Sequence, residues 1–301
     1  MSEWVKAGAR DLPQLEHFLR SRETYAASFI AKLLWKGRLS LPLDARSGVW
    51  IRAGTEGEAP VEAAILGLAG GAFYPQLPNA DADLPGLARL LEPVFRGVLG
   101  VAGNPPATVT GPAGSVSAFE AALRLSPAWK VDYRLMALSA ARSVAPEHSH
   151  PATIGSLRVE RAGPGDLEAL VPLQKAYELE EVIIPLHVFD AEASRAWLSR
   201  MLRTEFIAKA SGKGPRGGME ILGKAGTNAR AFTIDQIGGV FVLPGFRGRG
   251  IARKMMDFLI ARLGAEGRGT ALFVKKTNAA ALALYETLGY TTIDEYRADY
   301  V

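Results

Sequence analysis

The stretch PGFRGRGIARKMMDFLI, from Pro244 to Ile260, is the most informative part of this sequence. Its first eleven residues hold four positive charges and three glycines, and a strand-like run, Ile237 to Val242, comes just before them. From Ile251 to Leu263 an apolar residue recurs every four positions, which predicts the buried side of a helix. We therefore expect a basic, glycine-rich turn between a strand and the start of a helix.

A turn in this position is suited to binding an anion. The start of a helix offers unpaired N–H groups and the positive end of the helix dipole. Glycines remove the side chains that would keep an anion from the backbone, so successive N–H groups can surround a phosphate. Two other interpretations compete with this one, an RNA-binding RG segment and a solvent-exposed basic turn. A P-loop is excluded, because the Gly-Lys-Ser/Thr ending is missing.

Together with a second stretch, this turn resembles the GNAT superfamily of N-acetyltransferases. RGRGIA, Arg247 to Ala252, matches the family motif Arg/Gln-x-x-Gly-x-Gly/Ala in its common form RGxGIA, and the Val-x-Pro-x-aromatic run just before it also matches. NAAALALYETLGY, Asn278 to Tyr290, resembles the family block N-x-x-A-x-x-L-Y-x-x-x-G-F/Y. The two motifs have the order and spacing of the family. The resemblance covers Leu157 to Val301 clearly and the N-terminal half only faintly.

The resemblance implies a binding site for acetyl-CoA, with CoA as product. Phe241 and Val242 would pair with the pantetheine arm, and one of their N–H groups would polarise the thioester carbonyl. Asn278 would contact the cofactor arm, cap the helix that follows it, or both. The pyrophosphate would be held by the backbone amides of Arg247, Gly248, Arg249, Gly250, Ile251 and Ala252.

Tyr285 matches the general acid of the family. When an amine attacks the thioester, the leaving thiolate must take a proton, which a phenol close to the sulfur can supply. The competing interpretation is a tyrosine that only packs its ring in the core. The resemblance favours the catalytic role.

The general base is left open by the sequence. Many relatives carry a Glu where this chain has Gln236, whose amide cannot accept a proton at neutral pH. Asp235 is adjacent, but strand alternation places it on the other face unless a bulge shifts the register. An acidic cluster, Glu178, Glu180 and Glu181, lies where the family builds its acceptor site, and it could act as base, attract a cationic amine, or be a solvated charge run.

The patterns of the C-terminal half predict an α/β class with a mixed, largely antiparallel sheet, the GNAT-like acyl-CoA transferase fold. Gly238 and Gly239, inside a long predicted strand, indicate a β-bulge or a close backbone approach. The predicted elements are strand 157–161, helices 166–177 and 190–203, strands 205–210, 218–225 and 233–242, helix 251–263, strand 270–275, helix 279–288 and strand 290–297.

The two halves of the chain resemble each other. VKAGARDLPQL starts at Val5 and ERAGPGDLEAL at Glu160, an offset of 160 − 5 = 155, and each places an Asp where it could cap the first turn of a helix. SAFEAAL, which contains Phe119, resembles LALYETL, which contains Tyr285. Because phenylalanine has no proton to give, we expect residues 1–142 to be a degenerate GNAT-like domain, 143–153 a polar linker, and 154–301 the catalytic domain.

Composition excludes several classes of protein. With 48% hydrophobic and 22% charged residues, the chain is of the soluble globular type. It has no cysteine, so disulfides, thiolate metal sites and a covalent Cys nucleophile are excluded. No signal peptide, membrane helix or metal site is expected, and a net charge of +4 is too small to indicate nucleic acid by itself. We expect a cytoplasmic monomer or homodimer.

The sequence thus predicts an acetyl-CoA-dependent N-acetyltransferase that acts on an unidentified amine in a ternary complex. Two alternatives remain: an acyl-CoA-binding sensor without catalysis, and an RNA- or ribosome-associated protein that uses its basic surface. The retained Tyr285 speaks against the first. The second requires a contiguous positive patch beyond the RGRG turn.

Overall fold

The computed structural model of the protein describes residues 3–42, 44, 46–53, 60–78, 84–99, 107–139, 152–154, 157–214 and 217–301. It divides into two compact units, each built from segments that are separate in sequence. Unit 1 comprises Met1–Leu135, Val274–Thr277 and Ile293–Val301, and unit 2 comprises Met136–Phe273 and Asn278–Thr292. Most of the predicted linker, residues 143–151, lies outside the described residues.

The elements up to the unit boundary alternate short strands with helices. They are β1 Glu3–Lys6, α1 Leu12–Ser21, α2 Glu23–Leu33, β2 Leu34–Trp35, β3 Arg38–Leu39, β4 Gly48–Ala53, β5 Val61–Gly67, β6 Ala72–Gln76, α3 Leu84–Leu99, β7 Thr108–Pro112, α4 Ala113–Leu123 and β8 Trp129–Leu138. Among the described residues, no helix is long and apolar enough to cross a membrane.

The later elements follow the sequence prediction closely. They are β9 Ala152–Ile154, β10 Leu157–Arg161, α5 Leu167–Tyr177, α6 Ala191–Thr204, β11 Ile207–Lys213, β12 Met219–Arg230, β13 Ile234–Val242, α7 Ile251–Ala265, β14 Gly269–Lys275, α8 Ala279–Thr287 and β15 Thr291–Tyr300. Strand β12 ends five residues later than predicted, because its pairing with β13 continues across an irregular stretch to Arg230.

Each unit has a mixed sheet in which antiparallel neighbours dominate, as predicted. In unit 1 the strand order is β1-β4-β5-β6-β7-β15, with β6 and β7 parallel, so the last strand of the chain pairs with β7. In unit 2 the order is β9-β10-β11-β12-β13-β14, with β13 and β14 parallel. The same succession of strands and helices therefore appears in both halves of the sequence.

The packing of each unit follows from its helices. In unit 1, the Phe119 ring of α4 lies 5.5 Å from that of Phe73 and 6.3 Å from that of Phe95, inside the core. In unit 2, the predicted apolar side of α7 is buried, with Met255, Leu259 and Leu263 fully inaccessible to solvent. Phe119 is thus a core residue in the helix that corresponds to the one carrying Tyr285.

The duplicated Gly-x-x-Asp segments have the same local structure in both halves. Asp11 Oδ2 accepts a hydrogen bond from Gly8 N at 2.7 Å, and Asp166 Oδ2 accepts one from Gly163 N at 2.9 Å. The prediction that these carboxylates cap the first turn of the following helix was wrong. Each Asp ends a short 3₁₀ turn, so its carboxylate reaches back to the residue three positions earlier. Because both halves contain this same 3₁₀ turn and hydrogen bond, the local structure supports a tandem repeat.

Candidate active site

Strands β13 and β14 separate before either of them ends. Their parallel pairing runs from Ile234–Gly269 to Ile237–Leu272 and stops there, whereas β13 continues to Val242. The last five residues of β13 therefore have no ladder partner on the β14 side. The backbone of Phe241 and Val242 lies in this part of the strand, while both side chains are buried.

A β-bulge starts where the two strands separate. Gly226 of β12 faces Gly238, and Lys224 faces Phe241, so Ala225 alone opposes two residues of β13. The extra residue is accommodated by Gly239, whose φ is +60°, and a Cβ on Gly238 would come within 2.2–2.5 Å of the Asn228 side chain. The bulge predicted at the glycine pair is confirmed.

The RGRG turn presents backbone amides at the start of α7. Gly248 and Gly250 have φ of +73° and +74°, and a Cβ at either position would meet open space. Gly250 is the N-cap residue and no side chain caps the helix, whose first backbone hydrogen bond runs from Lys254 N to Gly250 O at 3.1 Å. The N–H groups of the first turn thus lack a partner within the helix, which fits an anion.

The two arginines of the turn bind back to the protein. Arg247 Nε donates to Val242 O at 3.0 Å, its Nη2 donates to Glu180 Oε2 at 2.7 Å, and its guanidinium lies 5.3 Å from the ring centre of Phe241. Arg249 Nη2 donates to Gly245 O at 2.9 Å. Their side chains hold the turn in shape, and the backbone amides are what it offers to a ligand.

The acidic cluster forms one π-helical turn, Glu178–Val182, that continues α5. Its three carboxylates bind different partners. Glu180 pairs with Arg247 of the RGRG turn, and Glu181 Oε1 accepts from Asn278 Nδ2 at 3.4 Å. Glu178 Oε1 accepts from Gln174 Nε2 at 2.6 Å and from Ser194 Oγ at 2.9 Å.

Asn278 and Tyr285 lie at the two ends of α8. Asn278 Oδ1 accepts from Ala281 N at 3.1 Å, so the residue is the N-cap of the helix. Tyr285 is buried, with its ring 5.9 Å from that of Tyr290. Burial raises the pKa of the Tyr285 phenol, and the nearby Tyr177 and Glu181 raise it further.

Asp235 and Gln236 lie in the paired part of β13. Asp235 is fully buried, and its carboxylate binds two arginines, Arg268 at 2.7 Å through both oxygens and Arg230 at 3.1 and 3.2 Å. Gln236 is buried opposite Ala229 of β12 and Ala271 of β14. The carboxylate of Asp235 is thus engaged by arginines that lie outside the π-helical turn.

Two residues that sequence reasoning missed lie beside the bulge. Tyr177 makes a hydrogen bond with the backbone of Gly239, yet burial, followed by Glu181 and Glu178, raises the pKa of its phenol to about 12. Lys224 Nζ lies 4.4 Å from the Tyr177 ring centre, and burial lowers the pKa of its ammonium to about 8. A tyrosine at the end of an amphipathic helix and a lysine in a strand carry no sequence signal for such a site.

A cavity of about 240 Å³ opens next to these groups. Its polar side chains include Tyr177, Glu178 and Lys224, and the backbone of Gly238 and Gly239 forms part of its wall. Its apolar lining comes from α6, the π-helical turn and strands β11 and β12. Tyr177 connects this cavity with the surroundings of Tyr285, since it lines the cavity and lies close enough to raise the pKa of the Tyr285 phenol.

Comparison with known proteins identifies the domain that carries these features. Residues 173–290 match the family model described as "Acetyltransferase (GNAT) family". A search of curated protein sequences finds no match to this chain.

Solved structures are similar over the whole length. A tandem GNAT protein from the clavulanic acid biosynthesis pathway is 15% identical, with 100% of this chain and 98% of that chain covered and a TM-score of 0.57. A GCN5-related N-acetyltransferase from Sphaerobacter thermophilus is 18% identical, with 98% and 94% covered and a TM-score of 0.58. A Drosophila protein is 11% identical, with 100% and 99% covered and a TM-score of 0.65. The chain therefore has the tandem GNAT fold, and its residues 173–290 match the model of the GNAT acetyltransferase family.

Proposed function

We propose that the protein is an N-acetyltransferase that uses acetyl-CoA as donor and transfers the acetyl group directly to an amine. The observation that carries this proposal is the π-helical turn Glu178–Val182, which joins the two parts that the reaction needs. Glu180 pairs with Arg247 of the RGRG turn, and Glu181 contacts Asn278, the N-cap of the helix that carries Tyr285. The π-helical turn thereby contacts both the turn proposed to bind an anion and the helix that carries the proposed proton donor.

The residues of the RGRG turn fit the pyrophosphate of CoA. Its glycines leave open space above the amides, and no side chain occupies the capping position of α7. The amides from Arg247 to Ala252 would hold the phosphates, and the unpaired backbone of Phe241 and Val242 would bind an extended arm. When bound, acetyl-CoA supplies the acetyl group as a thioester, whose cleavage leaves a thiolate.

Tyr285 would donate the proton that this thiolate requires. Its raised pKa keeps the phenol protonated at neutral pH, so the proton to be donated is present before the reaction starts. Direct transfer is expected, because the chain has no cysteine to carry an acyl intermediate.

Glu178 is the carboxylate we propose as base and contact for the amine. It lines the cavity, and two hydrogen bonds to Oε1 fix its position. Glu180 and Glu181 are engaged by Arg247 and Asn278, and Asp235 by two arginines. Glu178 is therefore better placed than the other carboxylates to take a proton from a bound amine.

Release of CoA with a panel of amines tests the function. Because the chain has no cysteine, a thiol reagent reads only the product. We expect thiol release that depends on both acetyl-CoA and an amine. CoA binding without release under any amine would favour an acyl-CoA sensor, and salt-dependent RNA binding unaffected by CoA would favour a nucleic-acid protein.

Gly250→Ala is expected to weaken CoA binding about tenfold. Gly250 has φ of +74°, where an L-residue costs about 1–2 kcal/mol, so the turn would relax and displace its amides. Calorimetric titration with CoA measures the change in Kd.

Gly267→Ala is the matched control for this variant. Gly267 has φ of +71°, lies just beyond the other end of α7, and also faces open space. We expect both variants to lose similar stability, with only Gly250→Ala losing affinity. Equal affinity for CoA in the two variants would contradict the assignment of the RGRG turn.

A further inference from the structure

The cavity beside the bulge is small and carries two opposite charges. Its volume of about 240 Å³ lies below the roughly 300–1,000 Å³ of pockets for drug-sized ligands. Lys224 of β12 and Glu178 of the π-helical turn both line it, and Val182, Trp197 and Met201 contribute apolar walls. A ligand that fills this space is a small molecule with both polar and apolar parts.

Lys224 is a buried cation without a counter-ion among the described residues. Only 7% of the residue is exposed, and its Nζ donates to Gly239 O at 3.2 Å while lying over the Tyr177 ring. Within the described part of the chain, no carboxylate lies within ion-pair distance of Nζ. A buried ammonium is costly unless paired, so an anionic group of a ligand in the cavity would be strongly favoured.

Glu178 faces the same space from the opposite element. Its side chain accepts two hydrogen bonds, both at Oε1, so that none of the described residues binds Oε2, which can face a ligand. Its charge acts on Lys224 without an ion-pair contact. The lining of the cavity therefore holds a positive and a negative group that form no ion pair with each other, which suits a ligand that carries both complementary charges.

We propose, on the basis of the proposed function, that the acceptor is a small amino acid with an apolar side chain, whose carboxylate binds Lys224 and whose amino group lies at Glu178. The walls formed by Val182, Trp197 and Met201 accept the side chain. In the transfer step, the amino nitrogen bonds to the acyl carbon and the C–S bond breaks. The ammonium of the bound amino acid first loses one proton to Glu178, which passes it to solvent, so that the nitrogen can attack as a neutral amine. After the attack the nitrogen loses its second proton to Glu178, the sulfur takes one from Tyr285, and Tyr285 is reprotonated from solvent.

A structural role for Lys224 is the competing explanation, since its bond to Gly239 O could simply brace the bulge. Lys224→Met would then lower kcat/KM for all acceptors by a similar factor. If Lys224 instead binds the carboxylate of the acceptor, Lys224→Met lowers kcat/KM mainly for acceptors that carry a carboxylate. Leucine and 3-methylbutylamine, which is leucine without its carboxylate, distinguish the two explanations.

The first experiment compares kcat/KM for these two acceptors. We expect the protein to prefer leucine, and the ratio of kcat/KM for leucine to that for 3-methylbutylamine to fall on the order of 100-fold in Lys224→Met. Lys213→Met, which removes the same charge from the exposed end of β11, should keep the ratio. An unchanged ratio in Lys224→Met, with transfer still observed, would overturn the amino-acid proposal and leave the acetyltransferase standing.

The second experiment needs no turnover. Calorimetry with 4-methylpentanoate, which is leucine without its amino group, reports the carboxylate contact alone. Because the ammonium must be charged to bind, affinity should fall as pH rises above about 8 and the dependence should vanish in Lys224→Met. Tyr177, with a pKa of about 12, does not titrate in this range, and any contribution from Glu178 persists in the variant.

The two proposals fail separately in these experiments. If no amine releases CoA while 4-methylpentanoate binds through Lys224, the proposed function is wrong and the carboxylate site stands. If 4-methylpentanoate binds equally to both proteins, or to neither, the assignment of Lys224 is overturned.

Discussion

Replacing Tyr285 by phenylalanine is expected to lower turnover by about 10²–10⁴-fold, the usual contribution of a positioned general acid, while CoA still binds. The phenol is buried close to Tyr177 and Glu181, and its raised pKa keeps it protonated. Phenylalanine keeps the ring in its place, so that mainly the transferable proton is lost. Steady-state kcat and the Kd for CoA, measured on the same sample, separate the two effects.

Tyr290→Phe is the matched control for this substitution. Tyr290 is a second buried tyrosine, its ring is 5.9 Å from that of Tyr285, and its hydroxyl is 2.7 Å from Thr270 Oγ1. Loss of this hydrogen bond should cost about 1 kcal/mol of stability and leave turnover nearly intact. If Tyr285→Phe turns over as fast as Tyr290→Phe, Tyr285 is a core residue and the proton comes from elsewhere.

The pH profile gives an independent check on Tyr285. A phenol that titrated near its ordinary value of about 10 would make turnover fall as the pH approached that value. Burial, followed by Tyr177 and Glu181, raises the pKa in the folded protein, so this loss should begin at higher pH. A fall in kcat centred well below pH 10 must therefore come from another group.

Much of unit 2 could be predicted because its signals are local. Asp190 stands just before an amphipathic segment, and its Oδ1 indeed accepts from Glu192 N and Ala193 N at the start of α6. The glycine pair in β13 indicated the bulge, and the RGRG turn was placed correctly between strand and helix. Dihedral freedom, capping and hydrophobic periodicity each act over a few residues.

Pairings between distant segments could not be predicted in the same way. Strand β15 follows α8 in sequence but pairs with β7 of unit 1, from Tyr296–Pro112 to Tyr300–Thr108. Alternating apolar residues show that a segment is a strand without naming its neighbour. The π-helical turn is another case, since a run of glutamates resembles any solvated charge cluster until Arg247 and Asn278 are seen to bind it.

The site residues also fall into those with a local sequence signal and those that only the three-dimensional packing reveals. Motif positions such as Gly250, Asn278 and Tyr285 could be proposed from the resemblance alone. Lys224 and Tyr177 could not, because what distinguishes them is burial in three dimensions next to the bulge. A lysine in a strand usually faces solvent, and only the packing of α5 against β12 and β13 places this one against a tyrosine ring.

Asp235→Asn is expected to lower the free energy of unfolding by about 3–5 kcal/mol, since it removes the negative member of a buried ion-pair group. Asp235 is fully inaccessible to solvent and binds both Arg230 and Arg268. Arg268 also donates to the backbone oxygens of Ala231 and Phe232, so it would be held in place with its charge uncompensated. Urea denaturation followed by circular dichroism measures the loss.

Asp257→Asn provides the control, because Asp257 pairs with Arg253 on the exposed surface of α7 and such a pair contributes at most about 1 kcal/mol. The comparison also decides the role of Asp235 in catalysis. If Asp235 is only structural, the Asp235→Asn variant is less stable, but its turnover per folded molecule at low temperature falls little. A general base loses turnover by about 10²–10⁴-fold even where the protein is fully folded. Because both oxygens of Asp235 already bind guanidinium groups, we expect the first result, which would leave Glu178 as the carboxylate placed to accept the proton of the amine.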